Sequence, residues 1–235
     1  KVSVYLDSSG AGLHKRGYRV RDVAAPIRET LAAALVQLSF YRPGRLLLDP
    51  FCGSGTIAIE AALIARNIAP GLSRSFAAEK WPWLASCYWK EERKTAFEAI
   101  QPVPSVKIKA FDKDGSAIRA AIANAEEAGV EDCIEFERSS FSETIKYDMG
   151  EGGIIITNPP YGERIGNRDD IIAIYRQISS FMKSNPTWSV FLITSDKSFE
   201  KRIMRTANRR RKLYNGRIEA CYYQYHGIKP KGIKA

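Results

Sequence analysis

The sequence predicts an α/β fold, in which a mostly parallel sheet of seven strands ends in an antiparallel hairpin. Between residues 46 and 193, short apolar runs alternate with helical segments, a pattern typical of parallel strands covered by helices. Near the end of the chain, Asn215-Gly216 separates two strand-like runs, which is a strong hairpin signal. Together these two observations predict the fold class.

The chain is expected to divide into an N-terminal portion, residues 1–44, and a core, residues 45–235. The N-terminal portion contains a predicted strand, Lys1–Leu6, then a glycine-rich turn, a basic stretch and a helix from Pro26 to Ser39. The parallel strands of the core are predicted at residues 46–48, 106–111, 134–136, 154–156 and 190–193. The core helices are predicted at residues 56–65, 115–128 and 171–182, and the hairpin strands at residues 210–214 and 217–225.

A segment of about forty residues, 66–105, does not belong to this alternation and is interpreted as an insertion. It contains Trp81, Trp83 and Trp89 and a predicted helix that reaches Ile100. Because tryptophan is highly buried on average, we expect these rings to form a local core packed against the sheet edge.

The charge of the chain points to a polyanionic partner. The net charge is +10, which favours nucleic acid but also fits a surface charged for solubility. No run approaches the roughly 18 apolar residues of a membrane span, so no membrane partner is expected. The four cysteines lie far apart, so neither disulfides nor a metal site are expected, and the predicted compartment is the cytoplasm.

The segment Asp49–Thr56 reads Asp-Pro-Phe-Cys-Gly-Ser-Gly-Thr and lies between a buried strand and a helix. Turns in this position bind ligands in open α/β sheets. Gly53 and Gly55 let the backbone approach a ligand, and the following helix N-terminus attracts a carboxylate. No lysine follows Gly55, as a P-loop requires, and Ala58 stands where a dinucleotide fingerprint has its third glycine.

These features predict S-adenosyl-L-methionine as the cofactor and a class I methyltransferase fold, which is Rossmann-like. Asp112, at the end of the next strand, suits the ribose hydroxyls, whereas Asp114 is interpreted as a helix cap. Methyltransferases of this class often place an acid for the adenine amine after the third strand, where this chain has Ser140. The predicted cofactor residues are therefore Asp49, Pro50, Phe51, Cys52, Gly53, Ser54, Gly55, Thr56, Asp112 and Ser140.

The strand at residues 154–156 leads into Asn158-Pro159-Pro160-Tyr161, the predicted catalytic segment. The prolines fix the backbone and lack N–H donors, so carbonyl acceptors remain. The Asn158 side-chain oxygen and the Pro159 carbonyl can each accept a hydrogen of an amino group, which positions the amine for methyl transfer. Tyr161 can stack on a base. The only histidines, His14 and His226, form no Ser–His–Asp set.

The chain resembles the catalytic domain of the THUMP-containing RNA methyltransferases, in particular the bacterial branch that makes N2-methylguanosine in 23S ribosomal RNA. The resemblance runs nearly end to end, and its segments are residues 13–19 (Leu-His-Lys-Arg-Gly-Tyr-Arg), 25–33, 67–71 and 158–164. The resemblance implies an RNA-binding THUMP domain upstream. The abrupt start of the chain in a strand-like run agrees with this expectation.

The expected activity is therefore methylation of guanine N2 in 23S ribosomal RNA. The residues leave open other amine acceptors, namely a transfer RNA guanine, adenine N6 or a protein glutamine, and an inactive fold that only binds RNA in ribosome assembly. The basic clusters expected around the substrate opening supply the predicted RNA contacts, although a charge run can also be a solvated face. These contacts are Arg16, Arg19, Arg164, Arg209, Arg210 and Arg211.

Overall fold

The computed structural model describes residues 2–21, 26–102, 107–146, 150–160 and 168–229. The strands in this part of the chain are β1 (Leu47–Asp49), β2 (Ile108–Asp112), β3 (Ile134–Arg138), β4 (Ile154–Thr157), β5 (Ser189–Thr194), β6 (Arg209–Asn215) and β7 (Ile218–Tyr225). They form a seven-stranded sheet of order β3-β2-β1-β4-β5-β7-β6. β1 to β5 are parallel, and β7 is antiparallel to both β5 and β6. The predicted fold class is confirmed.

Helices cover both faces of this sheet. They are α1 (Glu29–Leu38), α2 (Thr56–Ala65), α3 (Ser86–Glu98), α4 (Gly115–Glu127), α5 (Phe141–Thr144), α6 (Arg168–Ser184) and α7 (Phe199–Ile203), with short 3-10 turns at Ala77–Lys80 and Glu131–Cys133. Among the described residues, no helix is long and apolar enough to cross a membrane. The hairpin turn at Asn215-Gly216 is confirmed, and Gly216 has φ +65°, a conformation that favours glycine.

Two apolar layers lie on opposite faces of the sheet because successive strand residues point to opposite sides. Leu47 of β1 packs with α1 and α2, whereas its neighbour Leu48 packs with the residues of α6 and α7. Ile154 and Ile155 of β4 divide in the same way. The central strands are buried on both faces, so their carboxyl ends form a rigid edge at which a site can be built.

The predicted N-terminal strand does not form in its described residues, 2–6. Residues 2–7 have no regular secondary structure, and Val2, Val4, Tyr5 and Leu6 are exposed. An alternating apolar pattern becomes a strand only when it finds a partner edge. The described sheet has β3 and β6 at its two edges, and residues 2–7 pair with neither of them.

The insertion also differs from its prediction. α3 has no buried residue, and the Trp83 side chain is 71% exposed, so the expectation of a local core packed on the sheet edge is wrong for this residue. Trp89 is half-buried and stacks on Phe76, with ring centroids 5.5 Å apart. The segment is held instead by polar bonds: Arg93 donates to the carbonyls of Leu72 and Arg74 and pairs with Glu79 at 2.8 Å.

Candidate cofactor and substrate site

The carboxyl ends of β1, β2 and β4 meet at a cleft of about 520 Å³. Side chains from the turns after these strands and after β3 form one wall, and α6 forms the other. The lining residues are Pro50, Phe51, Gly53, Asp112, Lys113, Asp114, Ala117, Ser139, Ser140, Phe141, Ser142, Asn158, Pro160, Asp170, Ala173, Ile174 and Gln177. The cleft therefore brings the predicted cofactor turn and the predicted catalytic segment together.

The turn after β1 is built around two glycines with positive φ, Gly53 at +54° and Gly55 at +80°. A Cβ on Gly55 would lie 3.0 Å from the Cβ of Ala121 in α4, so only glycine lets the turn pack this closely. Gly53 lines the cleft, and Gly55 is the N-cap of α2. Four other predicted turn residues are buried and do not line the cleft, namely Asp49, Cys52, Ser54 and Thr56.

Asp112 holds the turns after β1 and β2 together. One carboxylate oxygen accepts the Gly53 N–H at 3.0 Å, and the other accepts the Asp114 N–H at 2.9 Å. Each oxygen retains a second lone pair, and the side chain lines the cleft, so it can still accept from a ligand hydroxyl. Asp114 caps α4 by accepting the Ser116 N–H at 2.8 Å, as its sequence position predicts.

Asp49 is a buried carboxyl at the end of β1. One of its oxygens accepts the Thr157 hydroxyl at 2.7 Å and the Phe51 N–H at 3.3 Å. Its other oxygen is buried without a hydrogen-bond partner among the described residues. Burial raises the pKa of Asp49 to about 7, and the nearby Asp112 charge adds to the rise. An unpartnered buried oxygen of this kind suits a cationic group of a ligand.

Asn158 follows β4 directly and lines the same cleft. Its side-chain oxygen is buried and has no hydrogen-bond partner in the described part of the chain. Pro159 is buried and Pro160 lines the cleft. Buried polar atoms are rarely left without partners, so this acceptor is suited to a donor that arrives with a substrate. Tyr161 lies outside the described residues.

Ser140 lines the cleft, but its hydroxyl already has a partner. It donates to the Glu143 carboxylate at 2.6 Å, and the Ser140 N–H donates to the same oxygen at 2.8 Å, which closes a capping box on α5. These bonds hold the pKa of Glu143 below its ordinary value. An adenine contact through the Ser140 hydroxyl therefore stays a prediction.

Residues 16–224 match the RMKL-like methyltransferase domain family. The chain belongs to this family. It is 46% identical over 225 residues to a Bacillus subtilis protein named "Putative RNA methyltransferase YpsC", and 38% identical over 236 residues to ribosomal RNA large subunit methyltransferase K/L of Psychromonas ingrahamii. These matches cover 94% and 98% of the chain, but only 57% and 31% of the relatives, so the chain spans about half or less of their length.

Solved structures place the RMKL-like domain in the same fold. SMU.472, named "a putative methyltransferase" and complexed with S-adenosylhomocysteine (SAH), superposes with a TM-score of 0.88 at 38% identity, and the match covers 96% of this chain and 58% of that one. A Listeria monocytogenes protein named a predicted N6-adenine-specific DNA methylase superposes with a TM-score of 0.85 at 43% identity. This match covers 94% of this chain and 57% of that one. Because SAH is the demethylated product of S-adenosyl-L-methionine, the family and SMU.472 confirm the predicted cofactor.

Two of the arginines predicted to contact RNA are engaged inside this RMKL-like domain. Arg16 Nε lies 2.9 Å from Glu60 Oε1, and the Arg16 side chain is only 11% exposed. Arg19 is 15% exposed, with its Nε 3.5 Å from Glu29 Oε1 and a bond of 2.7 Å to the Ile27 carbonyl. A charge run shows neither which side chains face solvent nor which find interior partners. The geometry corrects the expectation that both arginines face RNA.

The second basic cluster lies on the edge strand β6, three strands from β4, or about 14 Å at ordinary strand spacing. Arg209 and Arg210 are exposed and Arg211 is half-buried. Arg210 Nε is 2.7 Å from Glu200 Oε2, an ion pair that an arriving phosphate would have to share. None of the three lines the cleft. Arg164 lies outside the described residues.

Sequence reasoning missed two features of the site. Thr157 fixes the orientation of the Asp49 carboxyl, and its only sequence signal is a hydroxyl at the end of an apolar strand. The cleft wall formed by Asp170, Ile174 and Gln177 of α6 was also missed, because the helix was predicted but its position over the cleft depends on tertiary packing. Within the described residues, no group of His, Cys, Asp or Glu could hold a metal ion.

Proposed function

We propose that this chain is the catalytic domain of an S-adenosyl-L-methionine-dependent RNA methyltransferase that modifies the exocyclic N2 amine of guanine in 23S ribosomal RNA. The observation that carries the proposal is the unpartnered buried oxygen of Asn158, in the same cleft as Asp112. One cleft thus offers an acceptor for a substrate amine beside a carboxylate suited to a nucleoside cofactor.

Different residues in and beside the cleft would hold the cofactor and the substrate amine. The Gly53–Thr56 turn and the N-terminus of α2 would hold the carboxylate of the cofactor, Asp49 its ammonium group and Asp112 its ribose. When bound, S-adenosyl-L-methionine supplies an electrophilic methyl group on its sulfonium. The Asn158 oxygen and the Pro159 carbonyl would accept the two amine hydrogens, which turns the nitrogen lone pair toward that methyl group. This is positioning with no catalytic base, and the proton that the methylated amine releases would pass to water.

The RNA substrate is supported by charge and by relatives, and the choice of guanine by the family resemblance of the sequence. The net charge is +10, and two relatives carry names that specify RNA or ribosomal RNA methylation. The acceptors themselves would also serve adenine N6, the target for which the Listeria monocytogenes protein is named. A flipped guanine would require unstacking, at a cost of a few kcal/mol.

The RNA-binding surface is also part of the proposal. Arg209 and Arg210 are exposed on one edge of the sheet and could contact the RNA backbone at a distance from the cleft. YpsC is longer than this chain, which covers 57% of it. An upstream THUMP domain, which the resemblance implies, would account for part of that difference and would capture the RNA.

Nucleoside analysis tests the product. We expect 23S ribosomal RNA from a strain that lacks the full-length gene to lose one N2-methylguanosine. The unchanged gene should restore it, whereas a gene that carries Asn158→Ala should not, because the amine acceptor is missing. Mass spectrometry of digested ribosomal RNA, transfer RNA and protein would measure these modifications. Loss of N6-methyladenosine, loss of N2-methylguanosine only from transfer RNA, or methylation of a protein glutamine would overturn the proposed substrate.

The raised pKa of Asp49 predicts a pH dependence of cofactor binding. In the free domain the carboxyl is neutral below a pKa of about 7 and ionised above it. Because only the carboxylate can pair with the cofactor ammonium, affinity should rise as the pH increases from about 5.5 to about 7, below the ordinary α-amino pKa of about 7.7–8.0. Calorimetry over this range would measure it. Asp49→Asn should bind more weakly and lack this rise, whereas equal affinity of the parent at both pH values would contradict the pairing.

A further inference from the structure

The basic segment Arg16–Arg21 contacts α2 and the turn that precedes it, residues 53–56, which we call the cofactor turn. None of its residues lines the cleft. Tyr18 donates to Glu60 of α2 at 2.9 Å, and the same Glu60 oxygen faces Arg16. One helical turn earlier, Arg19 Nη2 donates to the Thr56 hydroxyl at 3.1 Å. Thr56 is the first residue of α2, and Tyr18 and Glu60 are almost fully buried. The segment is therefore attached to α2 at its first two turns.

Asn124 of α4 attaches the same segment to the cofactor turn. Its oxygen accepts the N–H groups of Val20 and Arg21, each at 3.0 Å. Its amide group donates to the Arg21 carbonyl at 3.0 Å and to the Ser54 carbonyl at 3.1 Å. The side chain is 1% exposed, and all four of its hydrogen-bonding positions are used. Ser54 is the residue between the two glycines of the turn.

We propose that the segment Arg16–Arg21 is a clamp that positions the cofactor turn, and that Asn124 is the positioning residue through which it acts. The proposal rests on the proposed function, because the turn is taken to hold the cofactor. No part of the clamp lines the cleft. Its effect on the cofactor is therefore indirect, through the backbone of residues 53–56.

The clamp joins the two helices that carry the site. α2 begins at the glycine turn, and α4 begins just after Asp112 and Asp114. Glycines make a turn adaptable and therefore costly to order when a ligand binds. A bond from Asn124 to the Ser54 carbonyl, together with the Arg19 bond to Thr56, orders the turn before the cofactor arrives. Preorganisation of this kind increases affinity.

Replacement of Asn124 tests the clamp. Asn124→Ala should raise the cofactor dissociation constant about tenfold, measured by calorimetry well below the melting temperature. The matched control is Tyr222→Phe, which removes a buried 2.9 Å bond to the Leu35 carbonyl, away from the cleft. Both variants should lower the melting temperature, but only Asn124→Ala should lose affinity. Unchanged affinity in a folded Asn124→Ala domain would overturn the clamp.

A second variant, Arg19→Lys, and a second measurement, amide hydrogen exchange, also test the clamp. Arg19→Lys keeps a positive charge beside Glu29, but one ammonium cannot replace a guanidinium that spans Glu29, Ile27 and Thr56, so affinity should fall several-fold. Amide hydrogen exchange of residues 53–56 without cofactor should accelerate in both variants. Unchanged exchange would overturn the clamp. If the parent domain itself failed to bind the cofactor, the proposed function would be wrong. Amide hydrogen exchange of residues 53–56 would still show whether the clamp orders the turn.

Discussion

Asn158→Ala should reduce turnover on saturating RNA by about a hundredfold or more, the loss seen when one preorganised polar group is removed from an active site. Affinity for S-adenosyl-L-methionine should stay nearly unchanged, because the expected partner of Asn158 is the substrate amine. The physical reason is the buried side-chain oxygen, which has no partner among the described residues and therefore nothing to lose except the substrate contact. Single-turnover transfer of a labelled methyl group and calorimetry measure the two quantities.

Two further variants define this prediction. Asn158→Asp retains an acceptor oxygen at the same place and should keep more activity than the alanine variant. Asn208→Ala removes an asparagine whose oxygen accepts the exposed His226 N–H outside the cleft, so turnover should not change. A folded Asn158→Ala domain that retained most of its rate would show that amine positioning is not the mechanism.

The cofactor site was predictable where its chemistry is local in sequence. The turn Asp49–Thr56 combines a buried strand, two glycines and a helix start within eight residues, and each part has one structural meaning. Asp112 could be placed because the ends of parallel strands meet at one edge of a sheet. The short apolar runs predicted the strands, since β1, β4 and β5 are buried on both faces and therefore read as continuous apolar segments.

Predictions that depend on partners distant in sequence were less successful. Arg16 and Arg19 look like surface charges until Glu60 and Glu29 are placed beside them, 44 and 10 residues later. Asn124 looks like an ordinary helix residue, and its four bonds appear only when the N-terminal segment crosses α4. Trp83 is the opposite case, because its ring contact in the described chain is with Trp81, at 5.5 Å between centroids, and it stays 71% exposed.

Asp112→Ala should weaken cofactor binding by about ten- to a hundredfold, since hydrogen bonds to a charged group contribute about 1.5–3 kcal/mol. Two effects combine. The ribose would lose its acceptors, and the Gly53 N–H would lose the carboxylate that holds the turn against β2. Asp112→Asn keeps one acceptor oxygen but removes the charge. Its cofactor affinity should therefore lie between that of the parent and that of the alanine variant. Calorimetry with S-adenosyl-L-methionine would measure all three.

The matched control for Asp112 is Asp132→Ala. Asp132 is an exposed aspartate just before the amino end of β3, whereas the cleft lies at the carboxyl ends of the strands. Arg66 forms an ion pair with it at 3.9 Å. Its removal changes the net charge of the domain by the same amount but touches no part of the cleft. Cofactor affinity should therefore be that of the parent. If Asp112→Ala bound as tightly as Asp132→Ala, the ribose would have to be held elsewhere, and the carboxylate would serve only to join the turns after β1 and β2.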